Sequence, residues 1–224
     1  LFPVFTNGTL LSENMLALID QNRNLVPIVS IEGDEGQTDA RRGAGTYAKL
    51  TANMDRMREK GILFGASVTL TTENLATVTG DAFLNRLRTF GAKVVFFVDY
   101  VPADAGTERL APGETERDLL SSRLDALRAA QDGMIYVSFP GDEQFSDGCL
   151  AAGRGFFHIN PTGGAEPCPF SPVSDTNLKH TSLLDALDSP LFTRLRASEL
   201  LRGHHDGACA LFGKDDELAA MCGN

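Results

Sequence analysis

The strongest constraint on the fold is an alternation of two hydrophobic periods across the first 140 residues. Residues 2–6 (F-P-V-F-T), 25–31 (L-V-P-I-V-S-I), 62–71, 93–101 (K-V-V-F-F-V-D-Y-V) and 134–139 (M-I-Y-V-S-F) are short runs dominated by apolar and β-branched residues. Such runs read as strands. Between them, residues 12–22, 46–60, 81–90 and 114–131 carry apolar side chains at helical spacing. Ser12 stands where an N-cap belongs, Gly61 closes the second helix, and Glu116 and Asp118 suit the positive end of the longest one. Strand and helix therefore alternate four times before a last strand. Near-continuous apolar strands joined by helices imply a parallel sheet. Pattern alone leaves a doubly wound sheet and a barrel or partial barrel both open. Pro27 weakens the ladder of the second strand. Gly43-x-Gly45 is too short for a dinucleotide fingerprint and follows a loop, not a strand.

Composition narrows the function classes. The chain has 224 residues, 42% of them hydrophobic, enough for a substantial core. No apolar run approaches the length of a membrane span, and residues 1–11 are too short and polar for a signal peptide. The net charge of −10 argues against general nucleic-acid binding, which needs a basic surface. No membrane and no nucleic acid are expected as partners, and a reducing, cytoplasmic setting is.

After Pro140 the composition shifts towards Gly, Pro and Cys, which places a domain junction near 140–148. Residues 155–160 and 165–170 flank Pro161-Thr162-Gly163-Gly164, the pattern of a hairpin with Gly163 and Gly164 supplying positive φ. Helices are expected over 182–187 and 190–201, with Pro190 in the first turn. All four cysteines lie here: Cys149, Cys168, Cys209 and Cys222. Cys149 and Cys168 bracket the hairpin, and Cys209 and Cys222 follow the helices. Four thiolates suit a tetrahedral zinc or an iron–sulfur cluster; two disulfides or four unrelated buried thiols are the alternatives. Arg154 and His158 lie between the first two cysteines. His204, His205 and Asp206 form a second group, of the kind usually solvated on a Gly-flanked loop.

These residues carry a resemblance. Thirteen residues separate Cys149 from Gly163, and four separate Gly163 from Cys168. This resembles the C-x9–15-G-x4-C opening of a SPASM or twitch domain, which follows the barrel of radical S-adenosylmethionine (SAM) enzymes and binds auxiliary [4Fe–4S] clusters. In the front part, Phe5-Thr-Asn-Gly-Thr-Leu-Leu11 resembles that family's third barrel strand and turn. Val29-Ser-Ile-Glu-Gly33 with Asp39-Ala-Arg-Arg-Gly-Ala-Gly-Thr-Tyr47 resembles the fourth strand and the following helix entry, and Ser67-Val-Thr-Leu-Thr-Thr-Glu-Asn74 the fifth. The family's C-x3-C-x2-C loop and Gly-Gly-Glu segment are not in the chain and are expected upstream of Leu1, so an N-terminally truncated piece, inactive alone, is expected. A full SPASM complement takes seven cysteines; four match the single-cluster twitch form.

The resemblance implies an α/β fold: an incomplete (β/α)6 partial TIM barrel with parallel strands over residues 1–140, then a small SPASM/twitch-like α+β cluster domain over 141–224. It implies a radical SAM oxidoreductase, in which a 5′-deoxyadenosyl radical abstracts hydrogen from a small-molecule or peptide substrate, with ferredoxin or flavodoxin as electron donor. Ser30, Arg42, Ser67 and Thr69 would bind SAM, with Arg41 able to stand in for Arg42. Cys149, Cys168, Cys209 and Cys222 would hold the auxiliary [4Fe–4S] cluster, and the loose Cys209–Cys222 spacing makes Cys222 the outlying ligand. Asp99, at a strand end, is the candidate catalytic acid or base. Two other readings remain: a non-catalytic α/β domain with a structural four-cysteine zinc site, and a metal-free barrel enzyme that uses Asp99.

Overall fold

The computed structural model describes residues 1–102, 105–202 and 209–222. The chain divides into two compact units, Leu1–Phe139 and Pro140–Asn224.

The first unit is a parallel sheet of five strands: β1 (Phe2–Thr6), β2 (Leu25–Ser30), β3 (Gly65–Leu70), β4 (Val94–Asp99) and β5 (Ile135–Phe139). They lie side by side in chain order. A doubly wound sheet would reverse direction at a switch point; this sequence of neighbours is that of a barrel segment. The connections carry α1 (Glu13–Gln21), α2 (Glu35–Arg42), α3 (Thr46–Glu59), α4 (Leu75–Val78), α5 (Asp81–Phe90) and α6 (Glu114–Ala129). Pro27 is accommodated because β2 meets β1 from Leu25 to Val29 but enters register with β3 only at Ile28.

Strand alternation sorts the side chains into two faces. Val29, Ala66, Val68, Leu70, Val95, Phe97 and Tyr136 are buried in one cluster with Leu50 and Met54 of α3, Leu84 and Leu87 of α5, and Leu120, Leu124 and Leu127 of α6. That is the helix-side face. The intervening residues Ser30, Ser67, Thr69, Phe96, Val98 and Val137 are half-buried and share the other face. There Phe5 and Phe96 meet edge to face, ring centroids 5.3 Å apart.

Helix entries follow local chemistry. Ser12 caps α1 by accepting the Met15 amide at 3.2 Å. The sequence reading did not anticipate α2, although Asp34 and Gln37 form a capping box, each side chain bonding the other's backbone N–H. Short α4 was also not anticipated.

The second unit has little regular structure. Its antiparallel β6 (His158–Ile159) and β7 (Ala165–Glu166) are two residues each, shorter than the hairpin arms expected. Gly163 has φ +93, as a turn of this kind needs, but Gly164 does not lie in that region. The reason for a glycine at 164 is space, since a Cβ there would come within 2.7 Å of Asn160 Nδ2. Among the described residues three helices follow: α7 (Leu183–Leu187), α8 (Pro190–Ala197) and α9 (Asp215–Cys222). The helix expected over 190–201 ends at Ala197, where Ser198 turns extended and caps a short 3-10 turn over Glu199–Leu201. Leu191, Phe192, Leu195, Leu201, Leu211 and Leu218 form the core together with Cys149 and Cys168. No helix among the described residues is long and apolar enough to cross a membrane.

Candidate functional site

In the first unit, two of the expected SAM-binding residues are neighbours by register. Ser30 pairs with Ser67, and Thr69 follows on the same face of β3. All three are half-buried on the face away from the helices, Ser30 and Thr69 near the C-terminal ends of their strands, where parallel barrels place their chemistry, and Ser67 in mid-strand.

Arg42 lies at the last turn of α2 and is tied to a carboxylate that the sequence reading quoted but gave no role. Glu32 follows β2 and is 2% exposed. Arg42 Nε donates to its Oε1 at 2.8 Å, and Arg41 Nη1 lies 3.5 Å from Oε2. A buried carboxylate needs such pairing. Two guanidiniums on one carboxylate leave a net positive charge at the ends of β2 and β4, where the Arg41 guanidinium stands 5.8 Å from the Tyr100 ring centroid. Asn74 locks the corner, donating to the carbonyls of Glu32 at 3.1 Å and Thr69 at 2.9 Å. Asp39 accepts the amides of Gly45 and Tyr47 at 2.6 and 2.7 Å, which fixes the turn after Arg42.

Asp99 does not join Ser67 and Thr69. It is in register with Leu70, on the helix-side face, 6% exposed. Arg117 Nε of α6 donates to its Oδ2 at 3.1 Å. Burial pushes its carboxyl above the ordinary range against the pull of Arg117. Strand position alone did not decide the face; the alternation around Phe97 and Asp99 does.

In the second unit, the structure brings three of the four cysteines together. None is in a disulfide. The Cys168 and Cys209 thiols share a hydrogen bond, and Cys149 interacts with both. The hydrogen bond with Cys209, together with burial, pushes the Cys168 thiol up, and the same bond pulls Cys209 down. Burial pushes Cys149 up to about 12. Each of the three sulfurs also faces the backbone N–H two residues on: Ala151 for Cys149, Phe170 for Cys168 and Leu211, with Phe212, for Cys209. N–H groups aimed at sulfur favour the thiolate.

Cys222 has none of this. It lies on α9, its Sγ 3.7 Å from the Leu218 carbonyl, and burial together with Asp175 raises its thiol while Arg194 lowers it. The neighbour of the triad is instead Glu143, which the sequence reading missed because no motif marks it. It is 5% exposed, in a 3-10 turn over Gly141–Ser146. Its Oε1 accepts the Leu150 amide at 3.1 Å, and its carboxyl hydrogen-bonds the Cys149 thiol. Burial raises its pKa.

Arg154 braces this loop without touching a sulfur. Its guanidinium donates to the carbonyls of Cys149, Leu201, Ser146 and Asp147 at 2.9–3.1 Å. His158 faces Glu166 at 3.8 Å. His204, His205 and Asp206 lie outside the described residues. Among the described residues, no group of three or more His, Cys, Asp or Glu side chains is arranged to hold a metal ion.

No protein-family model matches the chain, and no curated protein matches it. Solved structures do. Streptococcus suis SuiB bound to S-adenosylmethionine superposes with a TM-score of 0.69 at 16% identity, over 87% of this chain and 50% of that one. SuiB bound to the precursor peptide SuiA gives 0.66 at 14%, over 88% and 49%. Native anSMEcpe with bound AdoMet and Cp18Cys peptide gives 0.65 at 14%, over 91% and 61%. The chain thus spans between about half and three-fifths of these structures. At such identities the likeness is one of fold: the five parallel strands and their helices form an α/β fold that matches the partial barrel of radical SAM enzymes.

Proposed function

We propose that the chain is the SAM-binding and auxiliary-cluster part of a radical SAM oxidoreductase, acting on a peptide or small-molecule substrate with electrons from a ferredoxin or flavodoxin. The observation that carries the reading is the convergence of Cys149, Cys168 and Cys209, each sulfur facing a backbone N–H two residues on. Such N–H groups stabilise negative sulfur and help set the potential of an iron–sulfur cluster.

Three interacting thiols offer the soft sulfur donors that an iron–sulfur cluster takes. When bound, such a cluster supplies one-electron redox chemistry. The chain's own contribution is to bury Cys149 and Cys168, to present the three sulfurs from separate turns and to brace the loop through Arg154.

In the first unit, Ser30, Ser67 and Thr69 offer hydroxyls from one face of the sheet. Arg42 and Arg41, which together outweigh Glu32, attract the SAM carboxylate. Asp99, turned to the helices and paired with Arg117, acts by holding α6 on the sheet. Peptide substrates fit because SuiB and anSMEcpe were solved with peptides bound.

Anaerobic reconstitution with ferrous iron and sulfide tests the reading. The expected result is broad absorbance near ~400 nm and about four irons per chain, with both lost in Cys168→Ser. Colourless protein that takes up one equivalent of zinc overturns it in favour of a structural zinc site.

A further inference from the structure

We propose that Glu32 and Tyr100 are positioning residues for an anion site at the ends of β2 and β4, so that Arg41, and not Arg42, is the side chain that meets a carboxylate. This rests on the SAM reading of the first unit and concerns only which cation makes the contact.

The two oxygens of Glu32 are used unequally. Both Nε and Nη2 of Arg42 donate to Oε1. Oε2 is buried and has no hydrogen-bond partner among the described residues; Arg41 Nη1 stands 3.5 Å from it, an ion pair without a hydrogen bond. Arg42 is therefore committed to the carboxylate, with its side chain 24% exposed, whereas that of Arg41 is 41% exposed. One carboxylate neutralises one guanidinium. The surplus positive charge belongs to Arg41, whose planar fork of N–H groups stays open to a second planar acceptor. A carboxylate matches that fork in shape, and its single charge cancels the surplus.

The frame around Arg41 is fixed on both sides. The Glu32 amide donates to Thr38 Oγ1 at 3.3 Å, and the Glu32 carbonyl accepts from Asn74 Nδ2 at 3.1 Å. Thr38 is fully buried and lies one turn before Arg41 and Arg42 on α2. The turn that carries the arginines is thus pinned to the residue with which they pair. On the other side, the Tyr100 ring centroid lies 5.8 Å from the Arg41 guanidinium carbon, within reach of a cation–π contact. The Tyr100 amide is itself bonded to the Leu70 carbonyl at 2.9 Å. Strand β3, which carries the Thr69 hydroxyl, lies between β2 and β4.

The test uses the 224-residue chain and NMR of the arginine side chains. The probes are S-adenosyl-L-methionine, 5′-methylthioadenosine, which lacks the amino-acid part, and acetate, a bare carboxylate. In the free protein the Arg42 Nε–H should exchange with water at least about tenfold more slowly than that of Arg41, because only Arg42 Nε is bonded to a buried acceptor. S-adenosyl-L-methionine should shift the Arg41 signal and leave that of Arg42 in place, and 5′-methylthioadenosine should shift neither. Arg41→Met should weaken S-adenosyl-L-methionine binding about tenfold or more and leave 5′-methylthioadenosine binding unchanged. Tyr100→Phe keeps the ring and should match wild type, whereas Tyr100→Leu should lose about threefold. Adding Glu32→Gln to Arg41→Met releases Arg42 and should recover most of the lost affinity, which a damaged fold cannot do. Full affinity in Arg41→Met, or a ligand shift at Arg42 in place of Arg41, overturns Arg41 as the contact and leaves the SAM reading standing. If acetate shifts Arg41 and S-adenosyl-L-methionine does not, Arg41 stands as a carboxylate contact and the SAM reading falls. If no probe shifts either arginine, the anion site itself is overturned.

Discussion

The two units stabilise themselves by different means. Leu1–Phe139 has five strands in register and a continuous core in which every second strand residue meets a helix. Among its described residues Pro140–Asn224 has two strands of two residues each, and its core includes all four cysteines as buried members or flanking residues. A unit of the first kind is held by apolar area, at about 1.5–3 kcal/mol for each large side chain removed from water. A unit of the second kind has a smaller core, which the four thiols join or flank, none of them in a disulfide.

Core truncation should break this comparison most visibly. Phe97 on β4 and Phe192 on α8 are both fully buried, and Phe192 packs edge to face on Phe157 at 5.6 Å. Replacement of either by alanine is expected to cost about 3–5 kcal/mol. The consequences should differ. Without a cluster, Phe192→Ala should abolish amide-exchange protection across 140–224, whereas Phe97→Ala should lower the protection of 1–139 but leave it folded. Hydrogen exchange resolved by peptide measures both. Equal loss across both units in either variant would show that they share one stability.

The same contrast governs what the sequence made legible. In the first unit, period predicts face: α5 falls at Asp81–Phe90 as expected, and the five strands fall within or close to the expected runs. What escaped was short or undecided by period. Helix α2 has a polar composition, so only its Asp34–Gln37 capping box marks it. Asp99 was placed at a strand end, but its face follows from register with Leu70. In the second unit, Cys149, Cys168 and Gly163 were legible because motif spacing marks them. Glu143 was not, since a single acidic residue in a turn carries no pattern. Cys222, whose residue type suggests a ligand role, has its Sγ 3.7 Å from the Leu218 carbonyl of its own helix.

Buried charge sharpens the comparison at the next level. Arg117 neutralises Asp99 in the first unit, whereas Arg154 in the second ties carbonyls together. Arg117→Met strands a buried carboxylate and is expected to cost about 3 kcal/mol at neutral pH. The folded-state pKa of Asp99 is already raised by burial, so its proton-linked stability is present below the ordinary aspartate value and lost as pH rises through the raised value. Removing Arg117 raises that value further. The defect should therefore shrink as pH falls, while that of Arg154→Met, which mainly removes bonds to uncharged carbonyls, should change much less. Denaturant midpoints at pH 5 and pH 8 decide it, and parallel pH profiles for the two variants would sink the distinction.

The smallest expected effect concerns two serine caps of similar geometry. Ser12 Oγ accepts the Met15 amide at 3.2 Å at the start of α1, and Ser189 Oγ accepts the Phe192 amide at 3.3 Å at the start of α8. Ser12 is exposed, so in Ser12→Ala water can satisfy the freed amide, and the loss should be about 0.5–1 kcal/mol. Ser189 is 3% exposed and precedes Pro190, and the Leu191 amide is already engaged by Asp175 Oδ2 at 2.7 Å. There Ser189→Ala leaves the Phe192 amide buried without a partner, at a cost of about 2 kcal/mol. The difference isolates water access from hydrogen-bond geometry, because the bonds themselves match. If urea midpoints report equal losses, water reaches the start of α8 as freely as it reaches α1, and the second unit is more open than its buried cysteines require.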